Sequence, residues 1–395
     1  TAARLSFILA RGGRTTMRTL RSRLLVAMGI GTLAGAASGC GGDSSTDDGG
    51  AGGSSGATAS GGAAGSVASG GSAGSTATGG AAGSVASGGT AGSAGSSGTG
   101  GSAGATAGSG GSAGETHFCE PWPSCATVRR PFLVGADMRS SLVAQRDDWA
   151  MELSPVAIPH ARTAEFLAAS WLKDALEEHA SVAAFARFTM LLLSVAAPPE
   201  LIVASQRASL DEVWHARACF ALARRYGSCD VGPAALHVAD SLTAMSLAEL
   251  TALTVAEGCV GETLGALLAA EQLTRTTDPE VRRVLSRIEK DEARHAELAW
   301  KFLAWALESG GPDIEAAALS AFESAILELE QMKIVDYGVD IELWHAHGRV
   351  TCAEARALGR AGIEQVIRPC LQALLANTGR QPAREKAHAA ARASA

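Results

Sequence analysis

Aromatic residues make up only 5% of the 395-residue chain, and two of them are tyrosines, Tyr226 and Tyr337. No Cys-x-x-Cys pair occurs among the eight cysteines, which excludes a zinc ribbon or a rubredoxin-type site. No uninterrupted apolar run reaches the ~18–20 residues that span a bilayer. The apolar residues, 47% of the chain, are mostly Ala and Leu rather than β-branched, which argues against a many-stranded β protein. One stretch lacks nearly everything a core requires. Between Gly41 and Glu115 there is no aromatic residue, no Lys and no Arg, and the only charges are Asp43, Asp47, Asp48 and Glu115. That stretch holds 28 of the 47 glycines. It cannot bury enough apolar surface to offset its chain entropy and reads as a disordered Gly/Ser/Ala-rich tether. Within it Gly61–Gly71 recurs at Gly79–Gly89, a period of 18 with no apolar face to stack. Some 75 such residues would reach roughly 45–50 Å.

The N-terminal residues 1–39 carry six arginines and no acid. Met17-Arg18-Thr19-Leu20-Arg21-Ser22-Arg23 reads as the positive start of an export signal, Leu24 to Leu33 as its apolar segment, and Met17 as the true start, with residues 1–16 an upstream extension. The sequence Ala37-Ser38-Gly39-Cys40 resembles a bacterial lipobox, which implies a lipidated Cys40 and a membrane partner through that anchor. The expected location is the cell envelope, periplasmic or surface-facing, on the outer membrane. Losing the six arginines would take the formal charge from −7 to −13, so nucleic acid is not an expected partner. In an exported protein Cys119 and Cys125 are candidates for a disulfide; Cys219 with Cys229 and Cys352 with Cys370 are alternatives.

The domain order expected is a signal peptide (1–39), a lipidated cysteine and linker (40–115), an irregular cysteine-containing segment (116–162), a helical bundle (163–310), extra C-terminal helices (311–380) and a polar tail (381–395). The bundle is read from 3.6-residue periodicity. A first helix covers Trp171 to Val195, with Trp171, Ala175, Glu178, Val182, Phe185, Thr189 and Leu192 on one stripe. A second opens at Pro199-Glu200 and runs to Tyr226. A third opens at Ser246 with Glu249 as a capping box and runs to Thr274. A fourth opens at Asp278-Pro279-Glu280 and runs to Leu307. Further helices are expected at Asp313–Lys333 and Cys352–Ala376, the latter kinked or split at Pro369.

The second and fourth helices repeat each other. Pro199-Glu200 matches Pro279-Glu280, and Asp211-Glu212-Val213-Trp214-His215-Ala216 matches Asp291-Glu292-Ala293-Arg294-His295-Ala296, all at an offset of 80. Glu178 lies 34 residues before Glu212, and Glu257 lies 35 before Glu292. A helix pair carrying one Glu and then one Glu-x-x-His is therefore used twice. Residues three apart share a helix face, so each Glu points the same way as its His. All six groups lie on or among apolar positions and would face a core. Burying unpaired carboxylates costs several kcal/mol each. Two divalent cations would cancel four negative charges and remove that cost.

Four helices carrying E…ExxH…E…ExxH resemble the ferritin-like di-metal carboxylate superfamily, which includes rubrerythrins, ribonucleotide reductase small subunits and soluble desaturases. The resemblance covers Trp171 to Leu307. It implies an all-α, ferritin-like four-helix bundle with metal ligands at Glu178, Glu212, His215, Glu257, Glu292 and His295. Glu212 and Glu292 would bridge, and each histidine would bind one metal. Rubrerythrin-like proteins use an extra Glu on the third helix, which makes Glu262 a further candidate, although it lies about 140° off the stripe of Glu257 on an ideal helix. In related reductases and desaturases an Asp before the Glu-x-x-His bonds the opposite histidine; carried over, Asp291 would orient His215 and Asp211 would orient His295. Glu177 shares a face with Lys173, Ser181 and Arg187 and reads as solvated.

Carboxylate-rich coordination favours iron, or alternatively manganese. The expected function is oxidoreductase chemistry with dioxygen or peroxide, ferroxidase-like or peroxidase-like, with no catalytic residue named. The alternative is a non-enzymatic envelope protein that sequesters metal. Full rubrerythrins carry their own iron–sulfur domain with paired CxxC motifs; this chain would need an external electron donor. Neither tyrosine lies near a candidate ligand in sequence, so a radical tyrosine is not indicated.

Overall fold

The computed structural model describes residues 11–29, 130–156, 158, 160–336 and 338–378. Cys40, the tether, Cys119, Cys125 and the polar tail lie outside the described residues. All described residues belong to one compact unit.

The described chain is mostly helical. Helix α1 is Arg11–Ala27, α2 Ala161–Ser194, α3 Pro199–Gly227, α4 Leu247–Arg275, α5 Pro279–Ser309, α6 Pro312–Gln331 and α7 Ile341–Ala346. Helix α8 is continuous through Cys352–Gly362, a π-helical turn at Ile363–Ile367, and Arg368–Thr378. The starts follow local chemistry. Ser246 and Glu249 cap α4 reciprocally, and Thr351 and Glu354 do the same for α8. The Asp278 side chain accepts from Glu280 N and Val281 N, and prolines open α3, α5 and α6. Helix α2 begins at Ala161 rather than Trp171, because Phe166, Leu167 and Ala168 extend its buried stripe.

Two features of α4 and α8 depart from regular helix. Val255–Glu262 in the middle of α4 is a π-helix. In α8 the π turn precedes Pro369, which lacks an N–H. Arg21 Nη1 of α1 donates to the Gln365 carbonyl within this turn at 3.4 Å. Helix α4 is long and apolar enough to cross a membrane by length and composition, but most of it is buried within the protein and it carries four acids, Glu249, Glu257, Glu262 and Glu271. It is a core helix.

The strands are short. β1 (Leu133–Val134) pairs antiparallel with β2 (Asp137–Met138) across a turn with Gly135 at φ +63. β3 (Val143–Gln145) pairs antiparallel with β4 (Val231–Pro233), Val143 opposite Pro233 and Gln145 opposite Val231. Together they lay the arm 130–145 along α2 and fasten it to the connection between α3 and α4.

The core divides around the middle of α2, α3 and α5. One cluster joins Leu167, Trp171, Leu222, Val284 and Ile288. Another joins Phe185, Phe188, Leu201, Leu298 and Phe302. The polar positions Glu178, Glu212 and Glu292 fall between these two apolar ends. A third cluster joins α4, α5 and α8 through Val260, Leu264, Trp300, Leu303, Val366 and Ile367, and receives Met17, Leu20, Leu24 and Met28 of α1. Arg23 pairs with Glu297 at 2.7 Å along the same contact. The residues read from sequence as an export leader thus form an amphipathic helix packed on the chain's own core.

The cysteine pairings at the C-terminal end of α3 and within α8 need correction. Cys229 and Cys352 are each disulfide-bonded, whereas Cys219, Cys259 and Cys370 are buried thiols outside any disulfide. Cys219–Cys229 and Cys352–Cys370 are therefore not formed.

Helices α4 and α5 approach closely at Gly258. A Cβ there would lie 2.4 Å from the Ala299 Cβ and 2.8 Å from Arg130 Nη2. Gly258→Ala should destabilise the fold by about 1–3 kcal/mol through overpacking. Chemical denaturation of the full chain measures this, and an unchanged midpoint would contradict the close approach.

Candidate metal centre

Four helices contribute to one interior cluster. Helix α2 supplies Glu178, α3 supplies Glu212 and His215, α4 supplies Glu262, and α5 supplies Glu292 and His295. Each of the six is at most 2% exposed. Their ligand atoms fall into two groups. Glu178, Glu212, His215 and Glu292 have donor atoms within 4.8 Å of one another, and so do Glu262, Glu292 and His295. Glu292 belongs to both.

Distances within the cluster explain why these groups could hold metal ions. His215 Nδ1 lies 3.5 Å from Glu212 Oε2 and 3.5 Å from Glu292 Oε1. His295 Nδ1 lies 3.1 Å from Glu212 Oε1. Yet His215 Nδ1, His295 Nδ1, Glu212 Oε2 and Glu292 Oε2 are buried without a hydrogen-bond partner. Ring nitrogens and carboxylate oxygens face each other at contact distance with the wrong geometry for direct bonding. Acceptors so arranged repel unless a proton or a cation stands between them.

The outer side of each imidazole faces an aspartate. His215 Nε2 donates to Asp291 Oδ2 at 3.1 Å. His295 Nε2 lies 3.5 Å from Asp211 Oδ2, an ion-pair contact outside hydrogen-bond geometry. Arg294 Nη2 ties the two aspartates together, 3.0 Å from Asp211 Oδ2 and 2.6 Å from Asp291 Oδ1. Arg287 reaches Asp291 Oδ2 at 3.3 Å and stacks 4.0 Å above the Trp214 ring. An Nε2–H turned toward a carboxylate leaves Nδ1 turned inward, the arrangement that orients a metal-binding imidazole.

Protons take up the charge when no cation does. Burial lowers the pKa of His215, but Asp291, Glu212 and Glu292 outweigh it and the net shift is upward. His295 is raised well above the ordinary value by Asp211 and Glu212, again against burial. Glu212 is pulled down to about 2: burial would raise it, and the two imidazoles more than reverse that. Glu262 is raised well above its ordinary value by burial and by Glu292.

Glu257 lies in neither group. Its Oε1 is 3.2 Å from Arg187 Nη2 and its Oε2 is 3.8 Å from Arg130 Nη1. Burial pushes its pKa up to about 7 against the pull of both arginines. The wider winding of the π-helix turns Glu262 nearer to the face of Glu257 than an α-helix would, and so toward the cluster, while Glu257 itself is held by Arg187 and Arg130. The sequence carried a trace of this in Gly258 and Gly261, two poor helix formers in the middle of a core helix.

A second difference concerns the far side of α2. The sequence placed Lys173, Glu177, Ser181 and Arg187 on a solvated face. Lys173 and Glu177 do pair there, half-buried. Ser181 and Arg187 are buried, because the arm 130–145 covers them. Ser181 Oγ donates to the Arg130 carbonyl at 2.7 Å, and Arg187 donates to the Leu133 carbonyl. Arg130 and Arg187 are the site residues that periodicity missed, since nothing in the sequence announces that a distant arm folds over α2. His179 sits apart from the cluster, with Nδ1 3.4 Å from Ser141 Oγ and its ring against Trp149.

The pKa shifts fix the sign of a pH effect. His215 and His295 have folded values above the unfolded one, so in metal-free protein their contribution to stability is complete below about pH 6.5 and fades as pH rises through the folded values. Glu257 acts in the same sense, its contribution lost as pH climbs through about 7. A cation must displace the imidazole protons, so its binding strengthens as pH rises. Thermal unfolding with and without Mn(II) should show the metal-free midpoint falling between pH 5 and 8 while the gain on adding metal grows. A pH-independent gain would contradict this.

Comparison with family models, with curated proteins and with solved structures finds no match for this chain.

Proposed function

We propose that the chain is a ferritin-like di-metal carboxylate protein, with α2 to α5 as its four-helix bundle, that carries out redox chemistry with dioxygen or peroxide at the cell envelope. The observation that carries this reading is the shared Glu292: two buried donor groups meet at one carboxylate, and His215 Nδ1, His295 Nδ1, Glu212 Oε2 and Glu292 Oε2 lie within them without a hydrogen-bond partner. Glu178, Glu212, His215 and Glu292 would hold one cation, and Glu262, Glu292 and His295 the other. Oxygen-rich donor sets suit iron or manganese over copper. Iron held by these residues would supply the electrons that reduce dioxygen or peroxide.

The residues of this chain do the rest. Asp291 and Asp211, linked by Arg294, hold the imidazoles in one orientation. Phe185, edge-on to His295 at 5.0 Å, and the apolar clusters on either side keep the interior dry. A dry interior strengthens each charge interaction within it. Electrons for repeated turnover would come from an outside donor.

A second reading is metal sequestration without turnover. It is favoured by the burial of all six donors, none more than 2% exposed. The envelope location draws support from the leader-like N-terminus and from disulfides at Cys229 and Cys352, which persist in oxidising compartments. The packing of α1 on the core makes the leader reading directly testable. N-terminal sequencing of protein isolated from its own cells should begin at Cys40; a chain that retains Met17 to Met28 would contradict it.

The activity test uses full-length protein loaded anaerobically with Fe(II). Two irons per chain and repeated oxidation by peroxide with a supplied reductant are expected. One slow oxidation without turnover would favour sequestration, and absence of metal uptake would overturn both readings. The double variant Glu212→Ala, Glu292→Ala should retain less than one metal per chain.

A further inference from the structure

Arg130 reaches the cluster from outside the four helices. It stands at the start of the arm that precedes α2, yet it is only 2% exposed. Its backbone is held by Ser181, and Phe132 two residues on is buried against Ala180 and Ala184. The guanidinium lies over Phe185 at 4.3 Å and Phe188 at 4.9 Å. Its Nε donates to Glu262 Oε1 at 3.0 Å, and its Nη1 lies 3.8 Å from Glu257 Oε2. Its Nη2 is buried without a hydrogen-bond partner, in the space left by the missing side chain of Gly258.

Resting on the metal reading of the cluster, we propose that Arg130 is a positioning residue that holds Oε1 of Glu262, so that this carboxylate offers a cation one oxygen instead of two. Three observations converge on it. The contact to Glu262 engages one oxygen. Stacking between two phenylalanines fixes the plane of the guanidinium and keeps it from swinging away. Arg187 already serves as the nearer partner of Glu257, at 3.2 Å against 3.8 Å for Arg130, which leaves Arg130 committed to Glu262. The two cation groups are unequal as a result. The group around His215 draws on four residues and the group around His295 on three. With Glu262 limited to one oxygen, the second cation keeps a coordination position for a small ligand from solution, where a chelating Glu262 would close it.

The same placement explains why an arginine is tolerated beside a cation site. The cluster and its surroundings hold five buried glutamates, Glu178, Glu212, Glu257, Glu262 and Glu292, while Asp211 and Asp291 are balanced by Arg294 and Arg287. Two divalent ions would cancel four of those charges, and Arg187 would cancel the fifth. Arg130 then adds one positive charge, which a single bound anion would neutralise. An anion entering the open position would thus meet a site whose charge favours it.

The experiment uses full-length protein loaded with Co(II), whose visible absorption falls as coordination number rises, titrated with azide. Wild type should take two cobalt ions and bind azide. In Arg130→Gln the freed Oε1 should chelate, lowering the visible absorption per cobalt and weakening azide binding about tenfold. Arg130→Lys keeps the charge but loses the planar fork, and serves as the deciding variant should Arg130→Gln fail to fold; it should shift in the same direction. Unchanged azide affinity and spectrum in the folded variants would overturn the proposal, as would tighter azide binding. A wild type that takes no cobalt would instead overturn the metal reading on which it rests.

Discussion

Everything in this domain is arranged around a single electrostatic problem: acids and imidazoles enclosed where water cannot solvate them. Glu178, Glu212, Glu262, Glu292, His215 and His295 lie nearly inaccessible between two apolar clusters. Like charges at such distances in a poorly polarisable interior repel strongly. The protein answers with opposing charge from two directions. Arg294 and Arg287 act from the rim through Asp211 and Asp291. Arg130, brought by the arm that crosses α2, and Arg187 of α2 itself act from within. Protons or cations complete the balance in the centre.

Local chemistry made much of this legible. Helix starts were written in Pro199, in Ser246 with Glu249, in Asp278-Pro279 and in Thr351 with Glu354, because caps act over one turn and need no tertiary context. The repeated Glu-x-x-His showed which faces of α3 and α5 turn inward. Other features depend on contacts distant in sequence. The short helix α7 has too few residues to display a period. The start of α2 at Ala161 was hidden by the Ala-rich run that precedes Trp171. Helix α1 had the composition of a leader, and only its seat against Leu264, Leu267 and Val366 reveals a packed face.

The misreadings share a cause. Reading a helix at 3.6 residues per turn assumes that every turn is regular. The eight residues from Val255 to Glu262 break that assumption, and from that point Glu257 and Glu262 exchange surroundings. Reading Ser181 and Arg187 as solvated assumed that nothing covers α2. Phe132 and the strands around it do so, and a face that looks polar in sequence becomes an interior lined with hydrogen bonds. In both cases the residue types were informative, and what escaped was a neighbour supplied from elsewhere in the chain.

The π-helical turn also breaks a symmetry. Helices α3 and α5 repeat one pattern, with matching acids and histidines 80 residues apart. Their partners have diverged: α2 stays regular and presents one acid to the cluster, while α4 has absorbed an irregular turn that presents Glu262 and retires Glu257 to an ion pair. One local change of winding is enough to make two halves of like sequence unlike in shape and in charge.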